Sequence, residues 1–345
     1  MKALVLTDVN QLKIRDVPEP VMGNQDVLIQ VKACGICGSD VHGIDGSTGR
    51  RQPPIIMGHE AAGIIAAAGS GVTNWKKGDR VTFDSTVYCG QCTFCQKGRI
   101  NLCDNRQVLG VSCDDYHRDG AFAELVAIPQ HILYRLPQGV SFEQGAMTEA
   151  LSIAVHAVKR TEISPGDTAV VVGAGMIGLL VIQVLRASNC GKVIAVDVSP
   201  ERLRLAEELG ADVILNPQTS DVLTQCSQLT KGRGADISIE VVGITSAVQT
   251  AVSVLRKGGH LTLVGNVSPQ VEIPLQTIVT REISVNGSCA SCGEYPVCLD
   301  MIADKKVDVN KLISAIADLT EGPLWFKRLY NKEPGLMKVI LKPNS

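Results

Sequence analysis

The apolar run Thr168-Ala169-Val170-Val171-Val172 leads directly into Gly173-Ala174-Gly175-Met176-Ile177-Gly178. An unbroken apolar run of this kind suits a strand buried on both faces of a parallel sheet. A helix-like stretch follows, from Met176 to about Ser188, and then a second apolar run, Lys192 to Asp197. The same alternation continues with a helix-like Pro200–Leu209 and strand-like runs at Ala235–Val242 and His260–Gly265. Strand and helix in strict alternation predict an α/β, doubly wound parallel sheet over residues 152–288.

Strand, glycine turn and helix together give G-x-G-x-x-G a physical meaning. Gly173 permits the tight turn, Gly175 lets the backbone approach a pyrophosphate, and Gly178 lets helix and strand pack closely. The helix N-terminus offers unpaired N–H groups to phosphate. Asp197 ends the next strand, 19 residues after Gly178, where a carboxylate accepts hydrogen bonds from an adenosine ribose. That carboxylate would repel a 2′-phosphate, so NAD is favoured over NADP. Arg202 points the other way if it meets a phosphate; packing along the adenine or exposure on a helix are its alternatives.

Residues 1–151 read differently. Short β-like runs (Val27–Ala33, Ala61–Ala67, Asp79–Phe83, Phe122–Ile128) are punctuated by glycine and proline, as in a barrel-like β-rich domain. Cys37 and His59 lie 22 positions apart, with Glu60 beside the imidazole. Three such ligands leave one zinc position open for a substrate oxygen or water. Ser39 and His42 are close enough in sequence to pass a proton. Cys89, Cys92, Cys95 and Cys103 are spaced C-x2-C-x2-C-x7-C, a set that can close a structural zinc site. An iron–sulfur cluster, or free or disulfide-bonded cysteines, are the alternatives for these four.

A length of 345 residues suggests roughly two domains. A net charge of −2 gives no general attraction to nucleic acid or anionic membrane. No apolar run approaches the roughly 20 residues of a membrane span. The opening residues, Met1 to Asp8, do not read as a signal peptide. Of the 12 cysteines, the two clusters use five, and reduced thiols in a cytoplasm best account for the remaining seven.

With both ligand patterns and the nucleotide fold in view, the chain resembles the zinc-containing medium-chain alcohol dehydrogenases over essentially its whole length. Within them it looks most similar to the sorbitol/polyol dehydrogenases, with threonine dehydrogenases as near relatives. The resemblance implies a GroES-like, zinc-binding catalytic domain at 1–151 and 289–345. It implies a Rossmann-type NAD-binding domain at 152–288, with the active site in the cleft. Cys37, His59 and Glu60 then match the catalytic zinc positions, and Glu149 matches the polyol-enzyme glutamate, as a ligand or a partner of the zinc's water. Ser39 and His42 match the proton relay, which runs by way of the cofactor ribose, and Asp40 matches a partner that orients a ligand. Ile177, Asp197, Arg202 and the Val264-Gly265-Asn266 turn match cofactor contacts. Two departures stand out: Ala290 and Ser291 fall where animal polyol enzymes carry Arg-Tyr, and Glu-Pro-Leu becomes Glu149-Ala150-Leu151.

The expected protein carries two zinc ions and oxidises a secondary alcohol, a polyol or sugar derivative, with NAD as hydride acceptor. A hydroxy amino acid substrate and a non-catalytic NAD- and zinc-binding regulator are the alternatives. A homodimer or homotetramer is expected, with Ile283–Asn286 as a contact strand. Cys289 and Cys292 read as small packing residues.

Overall fold

The computed structural model describes residues 1–343. It divides into two compact units: residues 1–149, 291–304 and 309–343, and residues 150–290 with 305–308.

The first unit is built on a mostly antiparallel seven-stranded sheet. Its strands include β1 (Asp26–Gly35), β2 (Glu60–Ala68), β3 (Arg80–Phe83), β4 (Leu125–Pro129) and β5 (Leu133–Arg135). The order is β5-β3-β2-β1, then the C-terminal strands Lys338–Lys342 and Ile313–Asp318, with β4 also paired to β1. Along β1, Val27, Ile29, Val31 and Ala33 are fully buried while Leu28, Gln30 and Lys32 are half-buried, the period of two that a one-sided core requires. Each fully buried Val or Ile contributes on the order of 1.5–3 kcal/mol.

Strand pairing brings three distant segments together. Gly35 pairs with Glu60 on one side and with Ile340 on the other. That register sets the end of β1, the start of β2 and the C-terminal strand side by side. The chain turns from β1 into a short helix, α1 (Gly38–Gly43). The strand expected from Phe122 begins only at Leu125. Phe122 is instead tied to other segments: its N–H donates to the Met57 carbonyl at 3.0 Å, and its own carbonyl accepts from Leu4 N at 2.8 Å.

The second unit holds a six-stranded, wholly parallel sheet. Its strands are β6 (Thr168–Val172), β7 (Lys192–Val196), β8 (Val213–Leu215), β9 (Ala235–Glu240), β10 (Leu255–Leu263) and β11 (Ser284–Gly287). The order β8-β7-β6-β9-β10-β11 reverses direction between β6 and β9, the crevice where such sheets bind ligands. Strand β10 starts five residues before the expected His260. The pairing with β9 slips register there: Gly258 turns to φ +64°, and its N–H donates to Arg281 O at 2.8 Å.

Helices α2 (Thr148–Lys159), α3 (Met176–Ala187) and α4 (Pro200–Glu208) carry the remaining residues of interest. Helix α4 begins with proline in its first turn and Ser199 as N-cap, both favourable starts. Among the described residues, no helix is long and apolar enough to cross a membrane.

Candidate metal centres and cofactor loop

The end of β1, the first turn of α1 and the start of β2 bring Cys37, His59 and Glu60 together. Their ligand atoms all lie within 4.8 Å of one another. Cys37 is the N-cap of α1, so its side chain projects at the helix start. Gly58, at φ +94°, turns the chain before His59; a Cβ there would meet Phe122 Cγ at 2.8 Å and Cys34 Sγ at 2.9 Å. A Cβ at Gly35 would lie 2.3 Å from Glu60 Oε2, so glycine leaves room for that carboxylate.

Buried charges surround this cluster. Asp40, fully buried, accepts from Arg51 Nη2 at 2.9 Å. Its same oxygen lies 3.5 Å from His59 Nδ1, an ion-pair separation that leaves Nδ1 without a hydrogen bond. Burial alone would raise the Asp40 carboxyl, but His59 and Arg51 outweigh it and hold it well below the usual carboxylate range. Burial likewise opposes the His59 cation, yet Asp40 and Cys37 hold that imidazole well above its ordinary value. Lys338 pairs with Glu60 and donates to Ile36 O at 3.1 Å, from a side chain only 3% exposed. The thiol, imidazole and carboxylate donors of Cys37, His59 and Glu60 suit zinc.

Glu149 stands outside the three-ligand set, in the first turn of α2. Ser85 Oγ donates to its Oε1 at 3.2 Å. Burial pushes its carboxyl up to about 7, with His59 drawing it down and Glu60 raising it. Beside it is a polar cluster of which the sequence singled out only Ser291. Asp84 accepts from Ser291 Oγ at 3.0 Å and from Thr86 N at 2.8 Å, and burial pushes it up to about 6. Tyr295 is fully buried, stacks on Tyr134 at 4.8 Å, and has no hydrogen-bond partner for its hydroxyl. Ser39 and His42 both lie exposed on α1, three residues apart and so on one helix face.

The second cluster is as compact: Cys89, Cys92, Cys95 and Cys103 present sulfurs all within 4.8 Å of each other. Cys92 N donates to Cys89 Sγ at 3.4 Å, and Cys89 N to Cys103 Sγ at 3.3 Å. N–H donors aimed at sulfur favour thiolates; those of Gln91 and Cys92 draw Cys89 down to about 6. Four mutually close sulfurs served by backbone donors fit a closed tetrahedral metal site. Cys292 donates its thiol to Gly98 O at 3.0 Å, and Cys289, expected to pack, is exposed.

In the second unit, Gly173 adopts φ +102° and Gly175 caps α3. A Cβ at Gly178 would lie 1.9 Å from Gly173 O, so helix and strand pack at the distance only glycine allows. Asp197 Oδ2 accepts from Ala174 N at 2.7 Å and its Oδ1 from Ser199 N at 2.8 Å. Ile177 is half-buried and Arg202 exposed. Val264 N and Gly265 N both donate to Glu240 O, at 2.8 and 3.1 Å, and Asn266 follows exposed. A Cβ at Gly265 would lie 2.1 Å from Gly243 N.

A unit with a parallel sheet and a glycine turn at its reversal, together with a unit holding a three-donor and a four-thiol cluster, defines a metal-binding dehydrogenase architecture. Residues 23–138 match the alcohol dehydrogenase GroES-like domain and residues 177–304 the zinc-binding dehydrogenase family. The chain belongs to the zinc-type medium-chain alcohol dehydrogenases, zinc-dependent oxidoreductases of alcohols. It is 36% identical to sorbitol dehydrogenase of Bacillus subtilis (strain 168), over 100% of this chain and 98% of that protein. It is 35% identical to D-xylulose reductase A of Aspergillus oryzae (strain ATCC 42149 / RIB 40), over 93% and 91% respectively. Among solved structures, a proposed zinc-binding dehydrogenase from Sinorhizobium meliloti 1021 bound to NADP superimposes with a TM-score of 0.89. It is 33% identical, with 99% of each chain covered.

Proposed function

We propose that the chain oxidises a secondary alcohol of a polyol or sugar derivative, with NAD as hydride acceptor. The observation that carries this reading is the Cys37, His59 and Glu60 cluster with the half-buried Glu149 beside it. The polyol assignment is supported by the glutamate at 149 and by the sorbitol and xylulose enzymes among the relatives. The unit containing residues 1–149 carries the metals and chemistry, and the unit 150–290 binds the dinucleotide. Asp197, beside the glycine turn, supports NAD; the NADP-bound neighbour is the argument for the other cofactor.

When bound, zinc supplies a Lewis acid for the alcohol oxygen and the nicotinamide an acceptor for hydride. Cys37, His59 and Glu60 would hold the catalytic ion, His59 through the nitrogen opposite Nδ1, since Asp40 lies on the Nδ1 side. Ser85 donates to one oxygen of Glu149, and that carboxylate would orient a water or complete the ligand set. Ser39 accepts the alcohol proton and His42, on the same face of α1, delivers it to solvent. Cys89, Cys92, Cys95 and Cys103 would hold the second, structural ion. Ile177, Gly173, Gly175, Gly178, Asp197, Arg202 and the Val264-Gly265-Asn266 turn would line the dinucleotide.

Two copies would associate through edge strand β11, where Val285 and the nearby Val279 are exposed. The thiol clusters must stay reduced to hold metal, which fits a cytoplasmic setting.

The test is NADH formation by purified protein with NAD and a panel of alcohols, with and without a zinc chelator. The panel holds sorbitol, xylitol, iditol, galactitol, sugar phosphates, butanediols and threonine. Chelator-sensitive turnover of polyols is expected. Turnover of threonine alone would replace the substrate class, and NADP-only turnover would replace the cofactor.

A further inference from the structure

Among the described residues, Arg51 brings a guanidinium onto Asp40, the carboxylate that faces His59, and no sequence pattern pointed to it. Its side chain is 5% exposed. Nη2 donates to Asp40 at 2.9 Å, Nη1 to Arg50 O at 3.0 Å, and Nε has no partner. Gly43 clears its path, since a Cβ there would lie 2.5 Å from Arg51 Cγ. The backbone on both sides is pinned to Ser112: Ser112 N donates to Arg50 O at 3.3 Å and Gln52 N to Ser112 O at 3.0 Å. The arginine is therefore held from its backbone outward.

The carboxylate that it grips also touches two of the three proposed zinc ligands. Asp40 Oδ1 is shared between Arg51 Nη2 and the imidazole of His59, while Oδ2 accepts from Cys37 N at 3.4 Å. A carboxylate that orients a ligating imidazole must itself be held in one rotamer. Its contacts with Cys37 and His59 come from the groups to be positioned. Arg51 approaches from a separately anchored segment and can act as the fixed point.

We propose that Arg51 is a positioning residue of the metal centre, acting through Asp40 to hold the His59 imidazole and the Cys37 turn in ligating geometry. The proposal rests on the reading of Cys37, His59 and Glu60 as a zinc site. A rival role makes the opposite prediction. If Arg51 only offset charge, deleting a cation beside a dication site would strengthen zinc binding.

The test is equilibrium competition for zinc between the full-length protein and a chromophoric chelator, with no substrate or cofactor. The four-thiol lobe contains neither Arg51 nor Asp40 and serves as internal reference. Wild-type protein should release two zinc ions per chain in separable steps. Arg51→Met should weaken one step by about 10- to 100-fold, the usual effect of losing an outer partner of a ligand, and leave the other unchanged. Asp40→Asn should weaken the same step, and the double variant Asp40→Asn/Arg51→Met should bind zinc as Asp40→Asn does. The double variant leaves no lone buried charge, so it decides the matter even where Arg51→Met does not fold. Unchanged or tighter zinc binding in Arg51→Met, or a double variant that binds zinc more tightly or more weakly than Asp40→Asn, overturns the proposal. A wild-type chain that releases a single zinc, one that Cys37→Ser still holds, refutes the zinc centre itself and the role of Arg51 with it.

Discussion

Replacing Gly175 with alanine separates what the fold needs from what a cofactor needs. Gly175 has φ −74° and ψ −170°, which any residue adopts, and an added Cβ meets nothing within 4 Å. The protein by itself has no use for glycine there. Alanine should leave stability unchanged or raise it by about 0.4–1 kcal/mol, through a less flexible unfolded chain. If a pyrophosphate passes over this backbone, the methyl stands in its path. Loss of one hydrogen bond to a charged phosphate costs about 1.5–3 kcal/mol, and about 1.4 kcal/mol is tenfold in affinity. NADH affinity should therefore fall roughly 10- to 150-fold, read by fluorescence titration, while the melting temperature holds. Gly178→Ala is the counterpart: its Cβ would lie 1.9 Å from Gly173 O, so the strand–helix contact itself must open. Overpacking of that kind costs about 1–3 kcal/mol, and this variant should lose both stability and NADH binding. Gly175→Ala binding NADH within threefold of wild type would refute the placement of the pyrophosphate. A melting temperature several degrees lower would refute the reading of Gly175 as sterically free.

Other expectations can be checked directly. Cys37→Ser should abolish turnover and one equivalent of zinc at near-normal melting temperature; retained activity would remove Cys37 from the catalytic set. Cys95→Ser should lose the other zinc and lower the melting temperature, because that lobe carries little apolar packing of its own; an unchanged melt and metal content would show that the site is not structural. Glu240 provides a pH test away from either metal cluster. Burial pushes its carboxyl up, against the N–H donors of Gly243 and Val242, and its Oε2 has no hydrogen-bond partner. A raised carboxyl stabilises the fold fully below its unfolded value of about 4.3 and loses that contribution as pH rises through the folded value. Glu240→Gln should therefore gain on wild type in urea midpoint from about pH 4 upward; a gap that narrows with pH would contradict the burial argument.

Much of the fold was legible because its signals are local. The parallel sheet announced itself through apolar runs such as Ala169–Val172, fully or nearly fully buried as expected. The four-thiol lobe spans fifteen residues, so spacing alone predicted that its sulfurs would meet. The Cys37 and His59 pairing could be suspected from residue type, and the register that sets Gly35 against Glu60 realises it. Where local signals failed, partners from elsewhere intervened, as at Phe122, which is held by Met57 and Leu4 instead of a strand neighbour.

By itself the sequence determined which chemistry was on offer: thiols, imidazole and carboxylates at ligand spacing, and a glycine turn between strand and helix. The tertiary structure alone decided what surrounds that chemistry. Lys338 reaches Glu60 across 278 positions, and its one local hint was a lysine at the head of the apolar run Val339-Ile340-Leu341. Ser291 reaches Asp84 across 207 positions, and Arg51 closes on Asp40 with no pattern to announce it. The reason is physical. A ligand set is fixed by residue type and short spacing, both written along the chain. The burial and counter-charges that tune it depend on strand register and on segments that become neighbours only on folding.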